Sequence, residues 1–278
     1  VAAFLLGVHV ATTMGTGIVD PKVVDDPLIL SALLGAISWN IITWYYGLPS
    51  SSSHALIGGL IGAGLVKAGP DVLVWTGIGK TSAFIILSPA VGMILAFGLM
   101  IVVLNLNRSS TVARAERLFG KMQLLSAAVY SLGHGMNDAQ KTMGIIAVVL
   151  FSKGLLGPHF YVPFWLVLLC HAVIALGTMA GGWRIVKTMG TKITKLRPTG
   201  GFCAETAAAI AIIGASHAGI PVSTTHTIAG AIVGVGATKR LTAVRWGVAG
   251  TIVWAWILTI PISALISAAA YLLIRLVL

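Results

Sequence analysis

The sequence predicts an all-α polytopic membrane protein built on a duplicated unit with re-entrant helical hairpins, and three observations carry that expectation. Hydrophobic residues make up 57% of the 278 residues and charged ones only 9%, with a mean hydropathy of +0.98. A soluble domain carries about a quarter charged residues, so the bilayer is the natural solvent. Several apolar runs reach the ~20 residues that a helix needs to cross a hydrocarbon core. They are continuous, whereas a membrane β-barrel would alternate in segments of about ten. The third observation is a motif that occurs twice. Gly47-Leu48-Pro49-Ser50-Ser51-Ser52-Ser53-His54 returns as Gly219-Ile220-Pro221-Val222-Ser223-Thr224-Thr225-His226, at an offset of 172 residues.

The net charge of +11 comes from 18 Lys and Arg against 7 Asp and Glu. Most basic residues sit in short segments between apolar runs, which the positive-inside rule explains. No basic stripe interleaved with aromatics exists, so nucleic acid is not an expected partner. Cys170 and Cys203 lie in apolar stretches and do not make a disulfide framework.

In chain order, Val1 to Ile18 reads as a membrane helix, and Asp20 to Pro27 as a solvated turn. Leu28 to Leu48 is a span ending in the interfacial aromatics Trp44, Tyr45 and Tyr46. After the first hydroxyl run, Ala55 to Val66 is too short to span and fits a re-entrant half-helix. A longer apolar stretch runs from Val72 to Leu104, interrupted by Lys80 and Pro89. Arg108 to Lys121 is the most polar segment. Met122 to Leu132 and Met143 to Phe151 flank a polar cluster, Gly133 to Lys141, which predicts a discontinuous membrane helix. Val162 to Gly182 is a span, and the basic stretch Arg184 to Arg197 is expected in the cytoplasm. Phe202 to Ala218 leads into the second hydroxyl run. Ile228 to Ala237 is again short, and Val244 to Leu278 is apolar with Pro261 as a kink or boundary. The expected division is a first repeat, 1–107, lacking its N-terminal part, a cytoplasmic linker, 108–121, and a second repeat, 122–278.

The duplication extends past the hydroxyl runs. Gly58, Gly62 and Gly64 match Gly230, Gly234 and Gly236, Lys67 matches Lys239, and Pro89 matches Pro261, all at 172 residues. Broken helices at corresponding positions of a duplicated membrane unit point to a transport site. Asn137 and Asp138 lie about 85 residues ahead of Ser223, and the same offset from Ser51 falls before Val1. A parent protein with on the order of 40 or more further N-terminal residues carrying a second Asp-containing cluster is expected.

At Gly-Leu-Pro-Ser-Ser-Ser-Ser-His, at Gly133-His134-Gly135-Met136-Asn137-Asp138-Ala139-Gln140-Lys141-Thr142-Met143-Gly144, at Gly201-Phe202-Cys203-Ala204-Glu205-Thr206 and at Gly-Ile-Pro-Val-Ser-Thr-Thr-His-Thr, the chain resembles the inorganic phosphate transporter family, in its bacterial branch. The resemblance implies inverted repeats, a site between two re-entrant hairpins, a homodimer in the cell inner (plasma) membrane, and symport of inorganic phosphate with H⁺ or Na⁺. It implies no catalytic residue and no cofactor.

Ser51, Ser52, Ser53, Ser223, Thr224 and Thr225 are the expected phosphate ligands. Hydroxyls and free N–H groups at a helix N-terminus give neutral donors and a favourable dipole end. The plainer reading makes them helix caps. Asn137 and Asp138 sit in apolar sequence, where a carboxylate is costly and usually functional. They resemble half of the family's cation motif, so Asp138 either holds Na⁺ or carries a proton, or it pairs with Lys141. Lys141 stands where many sodium-coupled members have Ala-Asn-Ala after the Asp, and a fixed ammonium there could tilt coupling toward H⁺. Glu205 is a second coupling-ion candidate, or a helix-end carboxylate. His54 and His226 either donate to phosphate or brace the hairpins, and no ligand set for zinc is present. Asn40 is a supporting candidate. The expected function is import of inorganic phosphate by cation symport. A related oxyanion such as sulfate is the alternative, and an intramembrane serine hydrolase the more remote one.

Overall fold

The computed structural model describes residues 8–277, apart from the side chain of Thr16. The first seven residues of the expected helix Val1 to Ile18, and Leu278 at the end of the last span, therefore lie outside the described residues. Among the described residues ten α-helices follow one another: α1 (His9–Thr16), α2 (Asp26–Tyr46), α3 (Ser52–Ala68), α4 (Trp75–Leu106), α5 (Val112–Ser152), α6 (Phe164–Met179), α7 (Trp183–Lys187), α8 (Pro198–His217), α9 (Thr224–Lys239) and α10 (Trp246–Val277). Among the described residues there is no strand, only an isolated bridge between Val19 and Leu73.

Helices α2, α4, α8 and α10 are each long and apolar enough to cross a membrane. The pair Phe164–Met179 and Trp183–Lys192, bent by 67°, makes a fifth if it counts as one span. Helices α4 and α10 present Ile86, Ile94, Trp254 and Leu265 to the outside, a surface that suits lipid better than water. Pro89 and Pro261 both lie inside unbroken helices of 32 residues, so neither marks a boundary. Helices α3 and α9, expected as half-helices, have 17 and 16 residues, longer than the apolar runs suggested. At 1.5 Å per residue they reach only about 25 Å, still short of a ~30 Å core.

The expected discontinuous helix is not found: α5 runs unbroken through Gly133 to Lys141 for 41 residues. Glycine weakens a helix by only about 1 kcal/mol, and no proline interrupts the segment. Gly133 serves close packing instead, since a Cβ there would stand 3.0 Å from Ile213 of α8. The polar stretch 108–121 likewise folds, from Val112 on, as the first turns of α5, capped by the Thr111 hydroxyl.

The two halves exchange partners. Helix α3 packs against α10, and α9 against α4. The paired glycines make this possible. A Cβ on Gly58 or Gly62 would come within 2.5 and 2.0 Å of the Ile260 and Ala264 carbonyl oxygens, and one on Gly230 or Gly234 within 2.0 and 2.3 Å of those of Pro89 and Met93. Small residues let helix backbones touch in this way. One buried core gathers Leu28, Ile57 and Leu60 around α2 and α3. A second gathers Cys203, Ile212, Ile232 and Val235 around α8 and α9. A third joins Met143 of α5 to Leu166 of α6.

Candidate functional site

The two hydroxyl motifs fold alike down to single hydrogen bonds. Gly47 and Gly219 end α2 and α8 at φ of 65° and 66°, a conformation that glycine adopts without penalty. The N–H of Leu48 donates to the Thr43 carbonyl at 2.8 Å, and that of Ile220 to the Ala215 carbonyl at 2.9 Å. Ser50 N–H and Val222 N–H then each donate two residues back, to Leu48 and Ile220, at 2.9 Å. Ser51 and Ser223 cap the next helices, their hydroxyl oxygens accepting from His54 N–H at 3.3 Å and His226 N–H at 3.2 Å. Outside each motif, a threonine hydroxyl holds the glycine carbonyl: Thr188 on Gly47 and Thr13 on Gly219, both at 2.9 Å. Arg184 also donates to the Tyr45 carbonyl and lies over the Tyr45 ring at 4.8 Å.

These geometries divide the six hydroxyl residues. Ser51 and Ser223 are caps, with their oxygens turned to their own helices. Ser53 accepts from Lys141 Nζ at 2.5 Å, and Thr224 donates to Asp138 Oδ2 at 3.0 Å. Ser52 and Thr225 face a cavity. The first-turn N–H groups at Ser52, Ser53, Thr224 and Thr225 have no acceptor within their own helices, so the α3 and α9 N-termini both present donors here.

Helix α5 supplies the charges. Asp138 and Lys141 lie one turn apart, with Nζ 2.8 Å from Oδ1. Lys141 also donates to the Val222 carbonyl at 2.6 Å. His134, one turn earlier, places Nδ1 3.6 Å from Asp138 Oδ2. The cluster borders two adjoining cavities, of about 410 and 760 Å³. Asn40, Ser52, Asp138 and Thr142 line both; Ser53 and Lys141 line the smaller, Ser50 and Thr225 the larger.

Other expected site residues lie apart from this cluster. Asn137 points to α8, where its amide donates to Ser216 Oγ at 2.7 Å; adjacent residues on a helix face about 100° apart. Glu205 accepts from Gln123 Nε2 at 3.2 Å and Ser126 Oγ at 2.6 Å. Ser126 is twelve positions before Asp138 on α5, about 18 Å along the helix. His54 and His226 pack ring against ring at 4.9 Å, and Trp256 stacks on His226 at 4.0 Å. Both histidines are fully buried and line neither cavity. The Trp256 indole in turn donates to the Pro49 carbonyl at 2.9 Å.

Sequence reasoning missed His134 and Thr142, although spacings of four from Asp138 place both on its helix face. It also missed the Val222 carbonyl, which no side-chain pattern can reveal. Among the described residues, no group of three or more His, Cys, Asp or Glu could hold a metal ion.

Fold and site together define an all-helical membrane protein of the transporter class, with a charged polar pocket between the N-termini of α3 and α9. The model of the phosphate transporter family matches residues 1–267, and the chain belongs to that family. It is a multi-pass protein of the plasma membrane, and the family is one of transporters rather than enzymes. A relative from Rhizobium meliloti (strain 1021), named "Probable low-affinity inorganic phosphate transporter", is 59% identical over 98% of this chain and 81% of its own length. One of the same name from Bacillus subtilis (strain 168) is 43% identical over 96% of this chain and 81% of its own. A solved structure described as "The sodium-dependent phosphate transporter" aligns with a TM-score of 0.86 at 27% identity, covering all of this chain and 87% of that one.

Proposed function

We propose that this protein imports inorganic phosphate by alternating access, in symport with a cation, H⁺ or Na⁺. The observation that carries the reading is the convergence of the α3 and α9 N-termini on Asp138 and Lys141 beside the two cavities. Helix N-termini favour anions. Neutral hydroxyl and amide donors bind phosphate without the strong hold of several fixed positive charges, so release stays fast. Ser52, Ser53 and Thr225, with the first-turn amides around them, are the proposed phosphate donors, and Asn40 and Thr142 line the approach. Ser51, Ser223 and Thr224 fix the loops that carry these donors. Asp138 is the proposed coupling-ion group, and Glu205, with Asn137 nearer α8, a secondary one. The relatives' names and the sodium-dependent structural neighbour support phosphate and cation coupling.

The test is uptake of labelled phosphate into proteoliposomes under imposed pH or sodium gradients, with sulfate as competitor. Uptake that follows one of the gradients and resists excess sulfate is expected. Uptake that sulfate abolishes, or that follows no cation gradient, would refute the substrate or the coupling. We also propose the homodimer and inverted repeats that the resemblance implies. Light-scattering mass in detergent tests the first, and opposite-side labelling of cysteines placed after α3 and after α9 tests the second.

A further inference from the structure

Lys141 is 2% exposed, and its ammonium touches three oxygens of three different kinds from three different segments. Ser53 Oγ comes from the first turn of α3 at 2.5 Å, the Val222 carbonyl from the unwound stretch before α9 at 2.6 Å, and Asp138 Oδ1 from α5 at 2.8 Å. Unwound backbone carbonyls coordinate Na⁺ in broken-helix transporters, and the hydroxyl and carboxylate beside this one add two more oxygens facing the same point. An ammonium carries three N–H donors and no acceptor. All three are therefore used, and none is left for an anion in this arrangement.

A separate alkali ion does not fit the same oxygens. Asp138 already serves Lys141 through Oδ1, Thr224 through Oδ2, and His134 at 3.6 Å. The other membrane-embedded acid, Glu205, is held by Gln123 and Ser126 elsewhere on α5. One carboxylate would face two cations, a like-charge conflict that no neighbouring acid relieves.

We propose that the Lys141 ammonium is a built-in cation, standing where a dissociable alkali ion would otherwise bridge the two hydroxyl loops and α5. Lys141 is thus the specificity-determining residue that makes this transporter's site close without Na⁺. A tethered cation bridges the loops in every cycle, so sodium takes no part and the coupling ion is a proton. The inference rests on the proposed phosphate-transport reading for its uptake arm, while its stability arm stands by itself.

The experiment compares wild type, Lys141→Gln and Lys141→Arg in sodium chloride and in choline chloride, by thermal melting in detergent and by phosphate uptake in proteoliposomes. Wild type and Lys141→Arg should melt at the same temperature in both salts, and wild-type uptake should be equal in both. Lys141→Gln should gain a sodium-specific rise in melting temperature of several degrees, and uptake at least fivefold faster with sodium than with choline. A sodium-specific rise for wild type would overturn the proposal, as would a Lys141→Gln protein indifferent to sodium or unfolded in both salts. Absence of wild-type uptake under every gradient would refute the transport reading instead, leaving the melting curves to decide the role of Lys141.

Discussion

Ser51 and Ser53 are two residues apart in a run of identical side chains, yet they do different work. Ser51 has extended backbone and caps α3, whereas Ser53 sits inside the first turn and meets Lys141. The same division separates Ser223 from Thr225. Position relative to the helix start, rather than residue type, decides which hydroxyl is available to a ligand. Asp138 is the residue on which most depends, because it accepts from Lys141 and Thr224 together. Its replacement by Asn leaves a buried ammonium without its counter-charge, a change that costs about 3–5 kcal/mol. Asp138→Asn should therefore lower the melting temperature and abolish phosphate uptake. A variant with wild-type uptake would remove Asp138 from the site.

At the scale of elements, the glycine contacts explain why the duplicated unit keeps glycines as well as hydroxyls. Helix α9 lies on α4 so closely that a Cβ at Gly230 would stand 2.0 Å from the Pro89 carbonyl. Gly230→Val should push α9 from its seat and destabilise the fold by about 1–3 kcal/mol or more, read as a drop in melting temperature. The same substitution at Gly98, where an added Cβ meets nothing within 4 Å, should shift melting by no more than a few tenths of a kcal/mol beyond its propensity change. Equal effects at the two positions would show that the close approach is not what the glycine serves. Helix α5 corrects an expectation at this scale. Its polar cluster looked like a break because glycine and charge usually mark one, but a helix stays whole when neighbouring helices satisfy its polar side chains. Ser216, Thr224 and Ser53 do so here.

For the whole molecule, the packing of α3 on α10 and of α9 on α4 means that neither 1–107 nor 108–278 can bury its own glycine faces. Co-expression of residues 1–107 with 108–278 should yield an associated complex that takes up phosphate, and either fragment alone should be degraded or aggregate. A fragment that by itself gives a monodisperse, cooperatively melting protein would refute the exchange as a requirement for folding. The threonine contacts on Gly47 and Gly219 come from the bent stretch after α6 and from α1, respectively. The loops bearing the site are thus braced from outside the duplicated motifs.

The sequence alone determined the solvent, the helical class and the duplicated hydroxyl motifs, because composition and residue spacing are local quantities and these features follow from them; the family came from the resemblance of its motifs. It placed Asp138 beside Lys141, since a spacing of three on a helix brings side chains together. Tertiary structure decided the rest. It sent Asn137 to α8 and Glu205 to Gln123 and Ser126 elsewhere on α5, turned His54 and His226 toward each other, and set the Val222 carbonyl on Lys141. Each of these depends on which helix faces which across distances that no sequence spacing encodes. The hydroxyl runs raised the expectation of an anion site; only the tertiary structure showed that Lys141 of α5 meets the segments that open α3 and α9.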